Sequence, residues 1–281
     1  MTDPIATPFT DIVFPTGELH GSSVVLEATH AGVAVVNLNR PGRKNAFDSE
    51  MIGELTEVFT TLKASEHVRT VFVRGVGGAF CAGADLNWMR DAAAFDESQN
   101  REDSLELARM LKGLWDLPQL TVALVDVPAF WGGAGLACAC DMTLATPDAL
   151  FSFSEVKLGL IPAVIAPYVI QAVGPRAARA LFATGARFGA DEAHRLGLVT
   201  RVVEDASALH DAARALAHGQ AACAPGAVAG SKRLVADVAG REIDRDLLDL
   251  TARRIAAQRV SEEGKEGVAA FLGKRQPAWM G

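Results

Sequence analysis

Hydrophobic residues recur along the first two-thirds of the chain with two different periods, and their order predicts an α/β core. Two runs rich in β-branched residues, 23–28 and 33–39, flank His30-Ala31-Gly32 and are typical of a β-hairpin. Residues 48–62 then carry apolar side chains at helical spacing, with Asp48 at the position of an N-cap. Further strands are predicted at 71–74, 122–126 and 142–145, and further helices at 102–117 and after Gly133. This alternation indicates parallel strands joined by crossover helices.

Beyond residue 205 the strand pattern ends and only helical periodicity remains. The predicted helices span 206–222, 226–239, 243–259 and 261–272. These patterns divide the chain into an extended arm over 1–21, an α/β core over 22–204 and a C-terminal helical lobe over 205–281.

Composition and charge limit the kind of protein that this core can be. With 281 residues, 49% of them hydrophobic, the chain can bury a large core. Its net charge of −7 argues against nucleic-acid binding. The arm lacks the apolar segment of a signal peptide, and the longest uncharged stretch, from Leu158, is interrupted by Pro162, Pro167 and Pro175. We therefore expect a globular, cytoplasmic protein with no membrane span.

The cysteines and histidines show no metal-binding pattern. Cys81, Cys138, Cys140 and Cys223 lack C-x-x-C spacing, and no histidine stands at the spacing of a metal ligand. We expect four reduced, buried thiols and no metal site.

Two glycine-rich turns carry the first candidate chemistry. The turn 132–135 leads directly into the apolar run 136–140, which predicts a short buried helix whose first N–H groups are unpaired and favour negative charge. A second turn, 75–85, follows the strand-like residues 70–73 and offers another backbone donor. Two such donors at one point would form an oxyanion hole, although glycine-rich turns more often only connect a strand to a helix.

Glu155 is the candidate acid or base. It lies between Phe153 and the apolar residues Leu158 and Leu160, where a buried carboxyl group would have a raised pKa suited to proton transfer. The alternative is a partly exposed glutamate that pairs with Lys157 or another cation.

Four motifs in a fixed order give these residues a family context. They are 40–47 (RPGRKNAF), 80–86 (FCAGADL), Gly132-Gly133 with Cys140-Asp141, and 153–162 (FSEVKLGLIP). Together they resemble the enoyl-CoA hydratase/isomerase (crotonase) superfamily, in register from about residue 24 to residue 203, with a weaker echo at 270–275. The resemblance implies a crotonase-like (ββα)n spiral core with a C-terminal helical lobe.

The resemblance also implies roles for individual residues. The backbone N–H groups of Ala84 and Gly132 would form the oxyanion hole for a thioester enolate, and Glu155 would be the catalytic acid/base. The residues expected to contact the acyl-CoA substrate are Arg43, Lys44, Ala46, Ala82, Asp85, Leu86, Phe271 and Lys274. Asp141 would be buried and structural. Coenzyme A is then part of the substrate, with no separate cofactor, and the helical lobe would form a homotrimer or a dimer of trimers.

Gly135 departs from the family pattern, because hydratases with two catalytic glutamates carry the second one at this position. Three interpretations stay open: Glu155 alone delivers both hydroxide and proton, another group holds the water, or the enzyme isomerises a double bond with Glu155 as its single base. The segments 84–89 and 158–169 resemble the bacterial methylglutaconyl-CoA and isohexenylglutaconyl-CoA hydratase branch, which favours hydration.

Trp131 and Val127 also depart from the pattern, since glycine is usual at both positions. The indole would either narrow the acyl pocket or pack behind the glycine turn. These departures leave a non-catalytic acyl-CoA binding protein as a further alternative, whereas the intact Glu155 favours an enzyme.

Overall fold

The computed structural model describes residues 12, 14, 19–29 and 31–280. Most of the predicted arm over 1–21, together with His30 of the predicted hairpin turn, lies outside these residues. Ile12 and Phe14 are described, and only 1% and 7% of their surfaces are exposed. The extended conformation of the arm stays a prediction.

Six strands form the main sheet. In their order across the sheet they are β1 (Val24–Ala28), β2 (Val33–Leu38), β3 (Thr70–Gly75), β4 (Leu120–Val125), β6 (Met142–Ala145) and β9 (Arg201–Val202). β1 and β2 pair antiparallel, with Val24 opposite Leu38, whereas the later neighbours all pair parallel. The predicted hairpin and the predicted parallel strands are both confirmed.

A second, smaller sheet contains β5 (Ala129–Phe130), β7 (Leu150–Ser152) and β8 (Arg187–Gly189). β5 pairs parallel with β7. Strands of two or three residues are too short to show a hydrophobic period, so the sequence pattern did not predict them. The small sheet positions the site, because β5 runs into the glycine turn at Gly132 and β7 runs towards Glu155.

Ten α-helices occur in the described part of the chain: α1 (Ser49–Ala64), α2 (Leu86–Ala92), α3 (Glu97–Trp115), α4 (Gly132–Ala139), α5 (Ala166–Thr184), α6 (Ala190–Leu196), α7 (Ala206–Ala221), α8 (Pro225–Val238), α9 (Arg245–Val260) and α10 (Glu262–Leu272). Asp48 caps α1 as predicted, since its carboxylate accepts a hydrogen bond of 3.0 Å from the N–H of Met51. The last four helices confirm the predicted helical pattern after residue 205. None of these ten helices has both the length and the apolar character that crossing a bilayer requires.

The two faces of the main sheet pack against different layers. One face packs against α1, α3 and α4, and the other packs against α7 together with Ile12 and Phe14. The alternation is visible on β3, where Val71 and Val73 belong to the first layer and Phe72 to the second. Both faces are therefore covered, as is usual for a mostly parallel sheet.

Two expectations about single residues are wrong. All four cysteines are free thiols and three are buried, but Cys223 is exposed because it lies in the turn between α7 and α8. Asp141 keeps 28% of its side chain exposed, because it lies in the turn between α4 and β6 rather than in the core. Its carboxylate nevertheless accepts hydrogen bonds of 2.8 and 2.9 Å from the N–H and hydroxyl groups of Thr121. Asp141 is therefore structural, as expected, although it is not buried.

Candidate active site

One cavity of about 740 Å³ contains Ala84, Gly132 and Glu155 in its wall. These are the three residues that the sequence motifs nominate for chemistry. They come from the second glycine-rich turn, the start of α4 and the short 3₁₀ helix that follows β7. Most of the remaining wall is apolar, with Phe47, Leu107, Leu160, Ile161, Val164 and Ile165 among its residues. The fold thus brings the nominated residues together in a largely apolar cleft.

The backbone N–H groups of Ala84 and Gly132 are both available as donors. Gly132 is the first residue of α4, so its N–H has no acceptor within the helix. Phe47 donates to the carbonyl of Gly83 at 2.6 Å, and Asp85 donates to the carbonyl of Phe47 at 2.8 Å. This pairing uses the carbonyl of Gly83 and the N–H of Asp85, on either side of Ala84, and leaves the N–H of Ala84 without an acceptor among the described residues. Both free donors border the same cavity, as an oxyanion hole requires.

Asn45 and Arg40 hold the second turn in place, and sequence reasoning assigned neither of them a role. The side-chain amide of Asn45 donates to the carbonyls of Val76 and Ala79 at 3.0 and 2.7 Å, and its oxygen accepts the backbone N–H of Arg40 at 2.7 Å. Asn45 has a φ of 54°, which asparagine tolerates better than most residues. An asparagine within a turn motif was the available signal, because it can bond to neighbouring backbone groups.

Glu155 begins a short 3₁₀ helix, Glu155–Leu158, directly after β7. Only 8% of its surface is exposed, and its Oε2 atom is buried without a hydrogen-bond partner among the described residues. Burial raises the pKa of this carboxyl group, and a hydrogen bond from its own backbone N–H partly offsets that shift. The alternative pairing with Lys157 is wrong, since no ion pair joins the two described side chains.

Ile165 fills the space into which a side chain at position 135 would point. A Cβ at Gly135 would lie 2.6 Å from the Cβ of Ile165, far inside van der Waals contact. Both residues are buried, and Ile165 also lines the cavity. A second carboxylate therefore has no room at position 135. Glu155 is then the acidic residue that the motifs nominate for proton transfer.

The residues expected to contact coenzyme A fall into two groups. Ala82 donates its N–H to the carbonyl of Lys44 at 3.0 Å, so the segments 43–47 and 82–85 lie side by side next to the cavity. Arg43 and Lys44 are exposed on the first segment, Ala46 is buried, and Ala82 is half-buried. This placement leaves two cations free to meet phosphate groups close to Phe47 and Ala84 of the cavity wall.

None of the eight nominated contacts is in the cavity wall, and the other four differ widely in their exposure. Asp85 is 4% exposed, and its carboxylate caps α2 by accepting the N–H of Asn87 at 2.8 Å. Leu86 begins α2 and is 74% exposed. Phe271 and Lys274 lie at the end of α10 and just beyond it, both exposed to solvent.

The geometry describes an α/β protein whose cavity combines two free backbone donors with one buried carboxylate. Residues 28–281 match the sequence pattern of the enoyl-CoA hydratase/isomerase family. The chain therefore belongs to this family, within the crotonase superfamily, and it is an enzyme with the crotonase-like fold.

Individual relatives agree with this assignment. A Thermus thermophilus protein with the provisional name enoyl-CoA hydratase is 38% identical over 87% of this chain and 96% of its own length. The 1,2-epoxyphenylacetyl-CoA isomerase of Escherichia coli is 31% identical over 92% of this chain and 98% of its own length. The crystal structure of an enoyl-CoA hydratase from Shewanella pealeana superposes with a TM-score of 0.88 at 41% identity, covering 92% of this chain and 96% of that chain.

The contact between positions 135 and 165 predicts a specific stability defect. Gly135→Ala should lower the free energy of unfolding by about 1–3 kcal/mol, because the new methyl group overlaps Ile165. The double variant Gly135→Ala/Ile165→Ala should lose less than the sum of its two single losses, since the residues share one space. Gly219→Ala is the matched control, because nothing lies within 4 Å of its Cβ position in α7. Denaturant unfolding gives the free energy of unfolding of the four variants and of the wild type. Losses that add up in the double variant would contradict the overlap.

The burial of Glu155 predicts how stability depends on pH. A carboxyl group with a raised native pKa binds its proton more tightly in the folded state. Its contribution to stability is complete below the ordinary glutamate pKa of about 4.3, and is lost as the pH rises through the raised pKa. Glu155→Gln should therefore be stabilised relative to the wild type at pH 8, with the difference shrinking towards pH 4.

Thermal unfolding across this pH range measures the effect. The control is Glu192→Gln. Arg195 donates a hydrogen bond to Glu192 and lowers its pKa, so Glu192→Gln should instead lose stability relative to the wild type as the pH rises. A Glu155→Gln variant that loses stability as the pH rises, relative to the wild type, would contradict the burial argument.

Proposed function

We propose that this enzyme adds water to an α,β-unsaturated acyl-CoA through a thioester enolate, with Glu155 as the base that accepts a proton from water and the acid that donates it to C2. The observation that carries the proposal is the unpartnered Oε2 of Glu155, which shares a cavity wall with the N–H groups of Ala84 and Gly132. A buried carboxylate oxygen without a partner is suited to hold a water molecule and accept its proton.

The reaction begins with the thioester oxygen accepting hydrogen bonds from Ala84 and Gly132. Glu155 takes a proton from water as the water oxygen forms a bond to C3, and the electrons of the C2=C3 bond pass to the thioester oxygen. The two N–H groups stabilise this enolate, and each such donor is typically worth about 3–4 kcal/mol in the transition state. Glu155 then returns the proton to C2, so water adds to one face and the carboxylate is regenerated. This chemistry requires neither a metal nor a redox cofactor.

Double-bond isomerisation is the second candidate, and the contact between Gly135 and Ile165 favours it. With no room for a second carboxylate at position 135, one base could move a proton between C2 and C4 of a 3-enoyl-CoA. A relative named as an isomerase belongs to the same family. Hydration remains our first proposal, because the other relatives compared above carry hydratase names.

The exposed surface supports the predicted ligand and assembly. Arg43 and Lys44 are exposed beside the cavity and are suited to the phosphates of coenzyme A. Large apolar side chains on the C-terminal helices are exposed, including Leu248 at 60%, Val268 at 60% and Phe271 at 83%. We propose that these helices pack between subunits of a homotrimer or a dimer of trimers. The unpaired thiols support a cytoplasmic location.

Labelled water separates the two reactions. The enzyme is incubated in oxygen-labelled water with 2-enoyl-CoA and 3-enoyl-CoA thioesters, and the products are analysed by mass spectrometry. We expect label at C3 from the 2-enoyl substrate, and about 10²–10⁴-fold slower turnover by Glu155→Gln. Glu192→Gln controls for loss of a glutamate elsewhere. Conversion of the 3-enoyl substrate without label would favour isomerisation, and undiminished turnover by Glu155→Gln would remove its proposed role.

The side chains that line the cavity indicate the charge of the acyl group that it binds. Its polar side chains include Asn100, Asp103 and Ser104, and no Lys, Arg or His occurs among the described residues that line it. Asp103 is held in place by a 2.9 Å hydrogen bond from Nε1 of Trp88. A methylglutaconyl thioester, to which the sequence resemblance points, carries a second carboxylate that would find no cation here and would meet the carboxyl groups of Asp103 and Glu155. We therefore propose an uncharged acyl group.

Two thioesters that differ only by this carboxylate test the proposal. 3-Methylcrotonyl-CoA should have a kcat/KM about 10–100-fold higher than 3-methylglutaconyl-CoA, because a desolvated, unpaired carboxylate is unfavourable. Asp103→Asn should bring the two kcat/KM values closer together, and Asp116→Asn, at the C-cap of the same helix α3 but outside the cavity wall, should not. A preference for 3-methylglutaconyl-CoA would instead support the branch that the motifs resemble.

A further inference from the structure

Trp131 has a backbone conformation that is unusual for any residue except glycine. It is the N-cap of α4, with φ 53° and ψ −124°. A side chain in this region crowds its own backbone, so the conformation persists only where surrounding contacts hold it.

Three contacts hold Trp131, two of them to residues 152–154 and one to the second glycine-rich turn. Its backbone N–H donates to the carbonyl of Ser152 at 2.8 Å, which extends the pairing of β5 with β7. Its indole Nε1–H donates to Oγ of Ser154 at 2.6 Å. Its Cβ packs on Gly83, where a Cβ would lie only 2.6 Å away. Trp131 therefore joins the two glycine-rich turns to the segment after β7.

Trp131 and two of the residues that it contacts each precede one member of the candidate site. Gly83 precedes Ala84, Trp131 itself precedes Gly132, and Ser154 precedes Glu155. The indole also lines the cavity, so it does more than pack behind the turn. The Ser154 carbonyl accepts the N–H of Lys157 at 3.0 Å, which ties Ser154 to the 3₁₀ helix that Glu155 begins, whereas its hydroxyl is the group bonded to Trp131.

We propose that Trp131 is a positioning residue whose hydrogen bond to Ser154 fixes Glu155 relative to the two oxyanion donors. The inference rests on the proposed role of Glu155 in proton transfer. Without this bond the pairing of β5 with β7 remains, but the start of the 3₁₀ helix loses its link to the oxyanion turn. Glu155 then takes up more orientations, whereas the apolar wall that binds the acyl chain is unchanged. The loss therefore falls on kcat rather than on KM.

A double-mutant cycle on purified full-length enzyme tests the inference. Trp131→Phe keeps an aromatic ring in the cavity wall and removes the donor, and Ser154→Ala removes the acceptor. Each should lower kcat about tenfold, the value of one lost hydrogen bond, with KM changed by less than about twofold. The double variant should lose about tenfold as well, because both changes break the same bond.

The pH dependence of kcat gives a second readout that a purely structural role would not move. A looser Glu155 admits more water, so its pKa should fall and the acid limb of the profile should shift to lower pH in both single variants. Trp279→Phe is the control, since it removes an indole hydrogen bond of 3.1 Å to the carbonyl of Ala222, away from the cavity wall. It should keep wild-type kinetics.

The outcomes separate this inference from the proposed function. Wild-type kcat in Trp131→Phe or Ser154→Ala, or losses that multiply to about a hundredfold in the double variant, would overturn the positioning role. Ser154→Ala keeps the test decisive if the tryptophan variant folds poorly, because it alters only one hydroxyl group. If Glu155→Gln retains turnover in the same assay, the proposed function fails. If Glu155→Gln is inactive while Trp131→Phe is fully active, only the role of Trp131 fails.

Discussion

The close approach of α4 to the segment around Cys81 is the constraint on which the cavity depends. A Cβ at Gly133 would lie 2.7 Å from the Cβ of Cys81, so glycine alone lets backbone pack against backbone here. Phe130 reinforces the approach by donating its N–H to the carbonyl of Cys81 at 2.9 Å. The N–H groups of Ala84 and Gly132 reach one cavity as a consequence. The main chain thus sets both donors, independently of any catalytic side chain.

Two departures from ordinary protein structure border the cavity. Glu155 is buried without an ion pair to any described side chain, and Trp131 has a positive φ. Each arrangement costs free energy, because a carboxylate loses water and a side chain crowds its backbone. The main sheet is covered by apolar layers on both faces, and this burial can offset these costs.

Most long elements could be predicted from the sequence, although the 19-residue helix α5 was not; of the short pieces that build the site, α4 was predicted, and β5 and β7 were not. β2, α1 and the last four helices have enough residues to show a hydrophobic period, but β5 has only two. Ala84, Gly132 and Glu155 could be nominated because ordered motifs carry them. Asp85 was nominated with the same motif, yet it turns away to cap α2. Contacts such as that between Gly135 and Ile165 depend on tertiary packing, which no local pattern encodes.

Hydration and isomerisation share one enolate, so the outcome at this site depends on how water is held. In both reactions electrons move to the thioester oxygen and the same two N–H groups stabilise them. A single carboxylate can return a proton to C2 after hydroxide adds at C3, or it can move a proton between C2 and C4. Ile165 occupies the place from which a second carboxylate would orient the water. In the hydration that we propose, Glu155 is the carboxylate that orders the water, so the rate depends on the orientation of that one side chain. The hydrogen bond between Trp131 and Ser154 acts on this orientation, at the residue next to Glu155.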